Sequence, residues 1–279
     1  MHYAAASGNP YPALIVIFEN ASQEVISGQS VTTAMHLAAA QGYEEALAVL
    51  LSKVSNPNAF DSRGRTALHL ASLNGHKHIL QTLVKNGALV SIHDETEAKQ
   101  TSVHVAAANG HEDCLRVLLE NTEDAEVLNA RDAMGQTPLM LAVANGHQGS
   151  VELLIVYGSL LDAVDLRKRT ALFRGAAFGQ EACIHVLLEQ GISPTTRDIF
   201  GQTAFHIAAK CGQVGVLRSL LDMLENPASV HDLIDRNGLT PLHWAAYEGH
   251  EGCVDLLLNS MTEHYSTKGS EFSPLHCAV

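Results

Sequence analysis

Asn237–His250 reads NGLTPLHWAAYEGH, and near copies of it run along almost the whole chain. Aligned on the Thr of Thr-Pro-Leu-His, the copies fall at Thr33, Thr66, Thr101, Thr137, Thr170, Thr203, Thr240 and Ser273, so successive separations are 33, 35, 36, 33, 33, 37 and 33 residues. Each copy follows the same physical grammar. Thr is a good helix N-cap, and Pro at the next position costs nothing because the first helical N–H has no intrahelical partner. A short helix follows and ends at Gly42, Gly75, Gly110, Gly146, Gly179, Gly212 or Gly249, where a left-handed turn is expected. A second helix carries Leu-Leu at its centre, as in Leu118-Leu119, Leu187-Leu188 and Leu256-Leu257. The unit closes on Asp-x-x-Gly, as in Asp61 to Gly64 or Asp235 to Gly238, a turn signal that makes a projecting finger.

One such unit cannot bury its own apolar face, so neighbours must stack, and a period near 33 residues with a TPLHxA core is the signature of ankyrin repeats. The fold class expected is all-α with short β-hairpin fingers, an ankyrin-repeat solenoid of about seven full repeats plus two partial ones. The repeats run roughly 1–27, 28–60, 61–94, 95–131, 132–164, 165–197, 198–234, 235–267 and 268–279, one array and, as expected from its uncapped ends, a part of a longer one. Spacings above 33 locate insertions at Glu95 to Gln100, at Glu120 to Glu126 and around Asn226 to His231, all expected as loops. Two units are irregular. Val31 stands in one finger's Gly slot, and Lys168 stands in another, where a positive φ costs a non-Gly residue about 1 kcal/mol or more. That second unit also has Phe173 for the usual His and Arg174 for the following aliphatic.

The chain has 30 acidic and 17 basic residues, a net charge of −13, which argues against nucleic acid or an anionic membrane as the main partner. No apolar run approaches the ~18 residues needed to cross a bilayer, and no membrane insertion is expected. Of the five Cys, Cys114, Cys183 and Cys253 each stand four residues after a repeat Gly, a shared register that points to a small buried slot. Sixteen His invite a metal reading, but most fall on the repeat. Equivalent positions of stacked helices lie about 8–10 Å apart, too far to share one zinc at ~2.1 Å. The expected role is a hydrogen bond to backbone near the finger. No catalytic motif is present, so no enzyme, no metal and no cofactor is expected.

The letters free to vary flank the finger Gly and precede the helix-ending Gly, and they should form one extended surface. The partner-binding candidates are Leu73, Met134, Arg167, Lys168, Arg169, Arg174, Phe178, Phe200, Lys210, Leu239 and Tyr247. Aromatic residues and Arg dominate interface energies, and a basic block in so acidic a chain predicts an acidic partner segment.

Several strings go beyond the general pattern: GQTPLMLAVANGH (Gly135 to His147), RTALFRGAAFGQEAC (Arg169 to Cys183), LTPLHWAAYEGHEGCVDLLL (Leu239 to Leu258) and FSPLHCAV (Phe272 to Val279). Together they resemble the ankyrin-repeat regulatory subunits of serine/threonine protein phosphatase 6. That resemblance implies a non-catalytic scaffold of the cytoplasm and nucleus, with the phosphatase 6 catalytic subunit and its SAPS-domain regulatory subunit as partners. Phe173, Lys168, Gln180 and Gln213 depart from the usual repeat letters, and no family motif assigns a binding residue. The alternative is the adaptor array of a membrane-associated or ubiquitin-ligase protein whose activity resides in other domains.

Overall fold

A computed structural model of the chain describes residues 29–53, 56–122, 125–224 and 226–260. Ser273, His2, His276 and the partial repeats at 1–27 and 268–279 lie outside the described residues. The chain divides into two compact units, Met1–Met134 and Gly135–Val279.

In the first unit the described helices are Gln29–Gln41 and Glu44–Leu51, Ala67–Asn74 and Lys77–Lys85, then Ser102–Ala108 and Glu112–Glu120, with a short turn Ala125–Leu128. The second unit repeats the pair four times: Pro138–Ala144 with Gln148–Val156, Ala171–Phe178 with Glu181–Glu189, Ala204–Lys210 with Val214–Asp222, and Pro241–Tyr247 with Glu251–Asn259. Within each unit first helices pack on first helices and second helices on second helices. A helix of seven or eight residues is only about 12 Å long, too short to stand alone in water, so this lateral packing is what stabilises it.

The core follows from helical periodicity. Leu80 and Leu83, Leu115 and Leu118, Ile184 and Leu187, and Leu217 and Leu220 lie three apart on the inward face of second helices and are all buried. Truncating one such Leu to Ala costs about 2–5 kcal/mol. The shared cysteine slot is real: Ala46, Ile79, Cys114, Ser150, Cys183, Val216 and Cys253 occupy it in successive repeats, and all are buried. Burial pushes the Cys114 thiol up to about 11, which makes it an inert packing residue.

Three expectations are corrected. No strand is present among the described residues; only one isolated bridge, His93 with Thr101, is found. Most described fingers are tight turns that close within four residues, as in Asp165 N–H to Arg169 O at 2.9 Å and Asp235 N–H to Leu239 O at 2.9 Å, while the lengthened finger closes from Asp94 N–H to Gln100 O at 2.8 Å beside that bridge. Two insertions expected as loops carry helical turns. Ala125–Leu128 buries Val127 and Leu128, and the 3₁₀ turn Pro227–Asp232 buries Val230, so each gains apolar cover. The helix Gln29–Gln41 runs through Thr33 rather than starting there, in line with Val31 leaving no turn.

Candidate partner-binding surface

The finger is built on a carboxylate. In the repeat that begins at Asp165, its Oδ1 accepts from the N–H of Arg167 at 2.8 Å and of Arg169 at 3.0 Å. Asp198 does the same for Phe200 and Gln202, and Asp235 for Asn237 and Leu239. The second oxygen is satisfied differently in each repeat. Asp165 Oδ2 receives the Arg169 guanidinium at 2.8 Å and that of Arg174 at 3.1 Å. Asp235 Oδ2 receives the indole N–H of Trp244 at 3.0 Å, from the position equivalent to Arg174. Burial alone pushes the Asp165 carboxyl up, but the Arg169 and Arg167 N–H groups and the Arg169 guanidinium together hold it below its ordinary value.

The repeat histidines do what the sequence predicts. The Thr66 N–H donates to His69 Nδ1 at 3.3 Å, so Nε2 carries the proton and donates to Gln100 O at 2.9 Å in the next repeat. His206 repeats this with Thr203 and Leu239 O at 3.1 Å. A bare Nδ1 is needed to accept from the cap, so these rings are neutral, and burial pushes His206 down to about 4. The histidines after the turn Gly bond backwards: His76 to Ala40 O at 3.0 Å, His111 to Leu73 O at 3.1 Å and His250 to Lys210 O at 2.9 Å. Gln180 substitutes by donating to Ala144 O at 3.2 Å. Phe173 has no ring nitrogen, and the buried Thr170 hydroxyl beside it has no hydrogen-bond partner among the described residues.

The sequence candidates separate into three groups. Leu73, on a helix end, and Met134, at a fingertip, are exposed in the first unit. In the second unit Arg167 and Lys168 are exposed on one fingertip, Phe200 on the next, and Phe178 and Tyr247 at the C-terminal ends of first helices. Lys210 lies over the Trp244 ring, its Nζ 4.2 Å from the centroid, and Tyr247 meets the same ring edge-on at 6.1 Å. Arg169 and Arg174 are drawn inward onto Asp165, with side chains only 22% and 16% exposed, and Leu239 is half-buried. The basic block is thus two outward cations above two that neutralise a buried carboxylate.

The ankyrin-repeat family model (three copies) matches residues 1–94, 88–165, 151–230 and 172–268. The chain belongs to the ankyrin-repeat family. Among solved structures it is similar to the ankyrin repeat domain of human ASB11, at 27% identity and a TM-score of 0.71, covering 83% of this chain and 99% of that one. Ankyrin repeats are a non-catalytic interaction fold, so what varies on their surface is where function resides. Among the described residues no helix is long and apolar enough to cross a membrane.

Three residues on these ankyrin repeats escaped the sequence reading. Lys99 occupies the same left-handed Gly slot as Lys168, with φ 50° against 59°. It stands two residues before Thr101, a signal that the insertion before it obscured. Arg236 is exposed at the third fingertip, and its N–H bonds Phe200 O at 3.0 Å. Trp244 supports both Lys210 and the Asp235 turn; its place four residues after Thr240, matching Arg174 after Thr170, was the available clue.

Proposed function

We propose that this chain is a non-catalytic protein-interaction scaffold, a regulatory or substrate-recruiting subunit of a protein phosphatase 6 holoenzyme. Its partners in this reading are the phosphatase 6 catalytic subunit and the SAPS-domain regulatory subunit, in the cytoplasm and nucleus. The observation that carries the scaffold role is the second unit's surface. Phe178, Phe200 and Tyr247 are each more than half exposed there, beside the exposed Arg167 and Lys168. Large exposed aromatics next to desolvatable cations are what interface centres are made of. The phosphatase assignment is supported by the resemblance of the strings at Gly135 to His147, Arg169 to Cys183 and Leu239 to Leu258.

Affinity purification of the tagged chain from cells tests this. The two phosphatase subunits should co-purify, and Arg167→Glu with Lys168→Glu should reduce their recovery without lowering the melting temperature. Their absence from the wild-type eluate, or recovery of ubiquitin-ligase subunits in their place, would replace the phosphatase reading.

A further inference from the structure

Most cations of the second unit gather on one side, Arg218 on a second helix excepted, and there they outnumber the finger carboxylates Asp165, Asp198 and Asp235 and the exposed Glu248. Arg167, Lys168, Arg169, Arg174, Lys210 and Arg236 all stand on fingers or first helices, while Glu152, Glu181, Glu189, Glu251 and Asp255 are exposed on second helices. A unit whose cations gather on one side presents a local positive field even when the whole chain is strongly negative.

Three successive fingertips on that side form one continuous row. Ile199 N–H donates to Arg167 O at 3.1 Å, and Arg236 N–H donates to Phe200 O at 3.0 Å, so each tip is bonded to the next. Arg197 adds a clamp from its guanidinium to Gly201 O at 2.7 Å and to Ile234 O. With Asp165, Asp198 and Asp235 fixing each turn from within, the row is pre-organised, which lowers the entropy lost on binding. Along its crest run Leu166, 71% exposed, then Arg167 and Lys168, then Phe200, 53% exposed, then Arg236. Among the described residues Arg167, Lys168 and Arg236 make no ion pair.

We propose that this fingertip row binds an extended acidic peptide segment of a partner protein, with apolar residues between two acidic groups. The proposal rests on the scaffold reading above and names the chemistry its partner must bring. Repeats stack about 8–10 Å apart, so the cations of the first and third tips lie roughly 18 Å apart. An extended chain advances about 3.3 Å per residue, which places the matching acidic groups five or six residues apart. Leucine-sized side chains between them meet Leu166 and Phe200. The apolar crest favours such a peptide over nucleic acid, whose uniform phosphates would offer nothing to Leu166 and Phe200.

The test uses the 279-residue chain and two fluorescein-labelled synthetic peptides of identical composition. One carries two acidic pairs six residues apart with two leucines between; the other has all acidic residues at one end. Fluorescence anisotropy should show the spaced peptide binding at least about tenfold tighter. Arg167→Gln with Arg236→Gln should weaken it about tenfold, and Arg218→Glu on a second helix should not. Raising salt from about 50 to about 500 mM should also weaken the wild-type complex about tenfold, a readout independent of any variant's folding. Equal binding of both peptides, no binding of either, or displacement by a mixed-sequence single-stranded DNA at equal charge would overturn the proposal. Loss of the phosphatase subunits in purification would leave this result untouched, so the two readings fail separately.

Discussion

Lys168 holds φ at 59° in a slot that four other described fingers fill with Gly. A left-handed L-residue costs roughly 1–2 kcal/mol, and Lys168→Gly removes that strain. Glycine returns about 0.5–1 kcal/mol of it through the greater freedom of the unfolded chain. The net expectation is a gain of about 0.5–1 kcal/mol, or a melting shift of about 1–2 °C for a chain of this size. Lys168→Ala keeps the left-handed backbone and loses only the charge, so its stability should match wild type. Both variants lose the same cation and should weaken acidic-peptide binding equally, by about three-fold. Thermal and urea denaturation, with anisotropy on the same samples, separates backbone from charge. If Lys168→Gly is no more stable than Lys168→Ala, strain is not stored at this turn and the reasoning fails.

Acid should loosen the array through its core histidines. His206 is held at about 4 against about 6.5 when unfolded, so the unfolded chain takes up the proton first. Stability is therefore flat above about pH 6.5 and falls below it, by about 3 kcal/mol at pH 4, and His206→Phe should reduce that slope in urea titrations at pH 7, 5 and 4. Asp165→Asn leaves the Arg169 and Arg174 guanidiniums without their counter-charge and should cost about 2 kcal/mol, below the range for a fully buried pair because both arginines keep some solvent. Gly75→Ala places a Cβ 2.8 Å from His111 Nδ1 at φ 74°, so it should destabilise by about 2 kcal/mol in the same denaturation assay.

Most of the architecture was legible because one grammar repeats. Thr66, Thr101, Thr137 and Thr240 cap helices whose letters announce them, and Gly75 and Gly179 end helices in the left-handed turn the pattern requires. The candidate surface was legible only in part. A letter reports a charge but not its neighbour, and Arg174 meets Asp165, nine residues upstream, only after the turn has folded. Trp244 reaches Asp235 by the same route. Lys99 was hidden because two extra residues in its finger break the Asp-x-x-Gly spacing that marks the slot elsewhere. The fingers read as hairpins because turn letters specify reversal, not the length of extended chain on either side. Phe178, Phe200 and Tyr247 were recoverable because exposure follows from their register alone.

The histidine bonds have a consequence for how such a chain can change in length. His69 reaches forward to Gln100 O, and His111 reaches back to Leu73 O. Each is a latch between corresponding places in adjacent repeats. Removing or duplicating one whole repeat brings like against like, and every latch closes again. Adding residues inside a helix pair would leave them open. Extra residues between a second helix and the next finger are tolerated all the same: the latch from His206 to Leu239 O closes across the 3₁₀ turn Pro227–Asp232. The number of repeats is therefore free to drift by duplication and the loop between repeats to lengthen, while two hydrogen bonds on an imidazole hold each cap against the next finger.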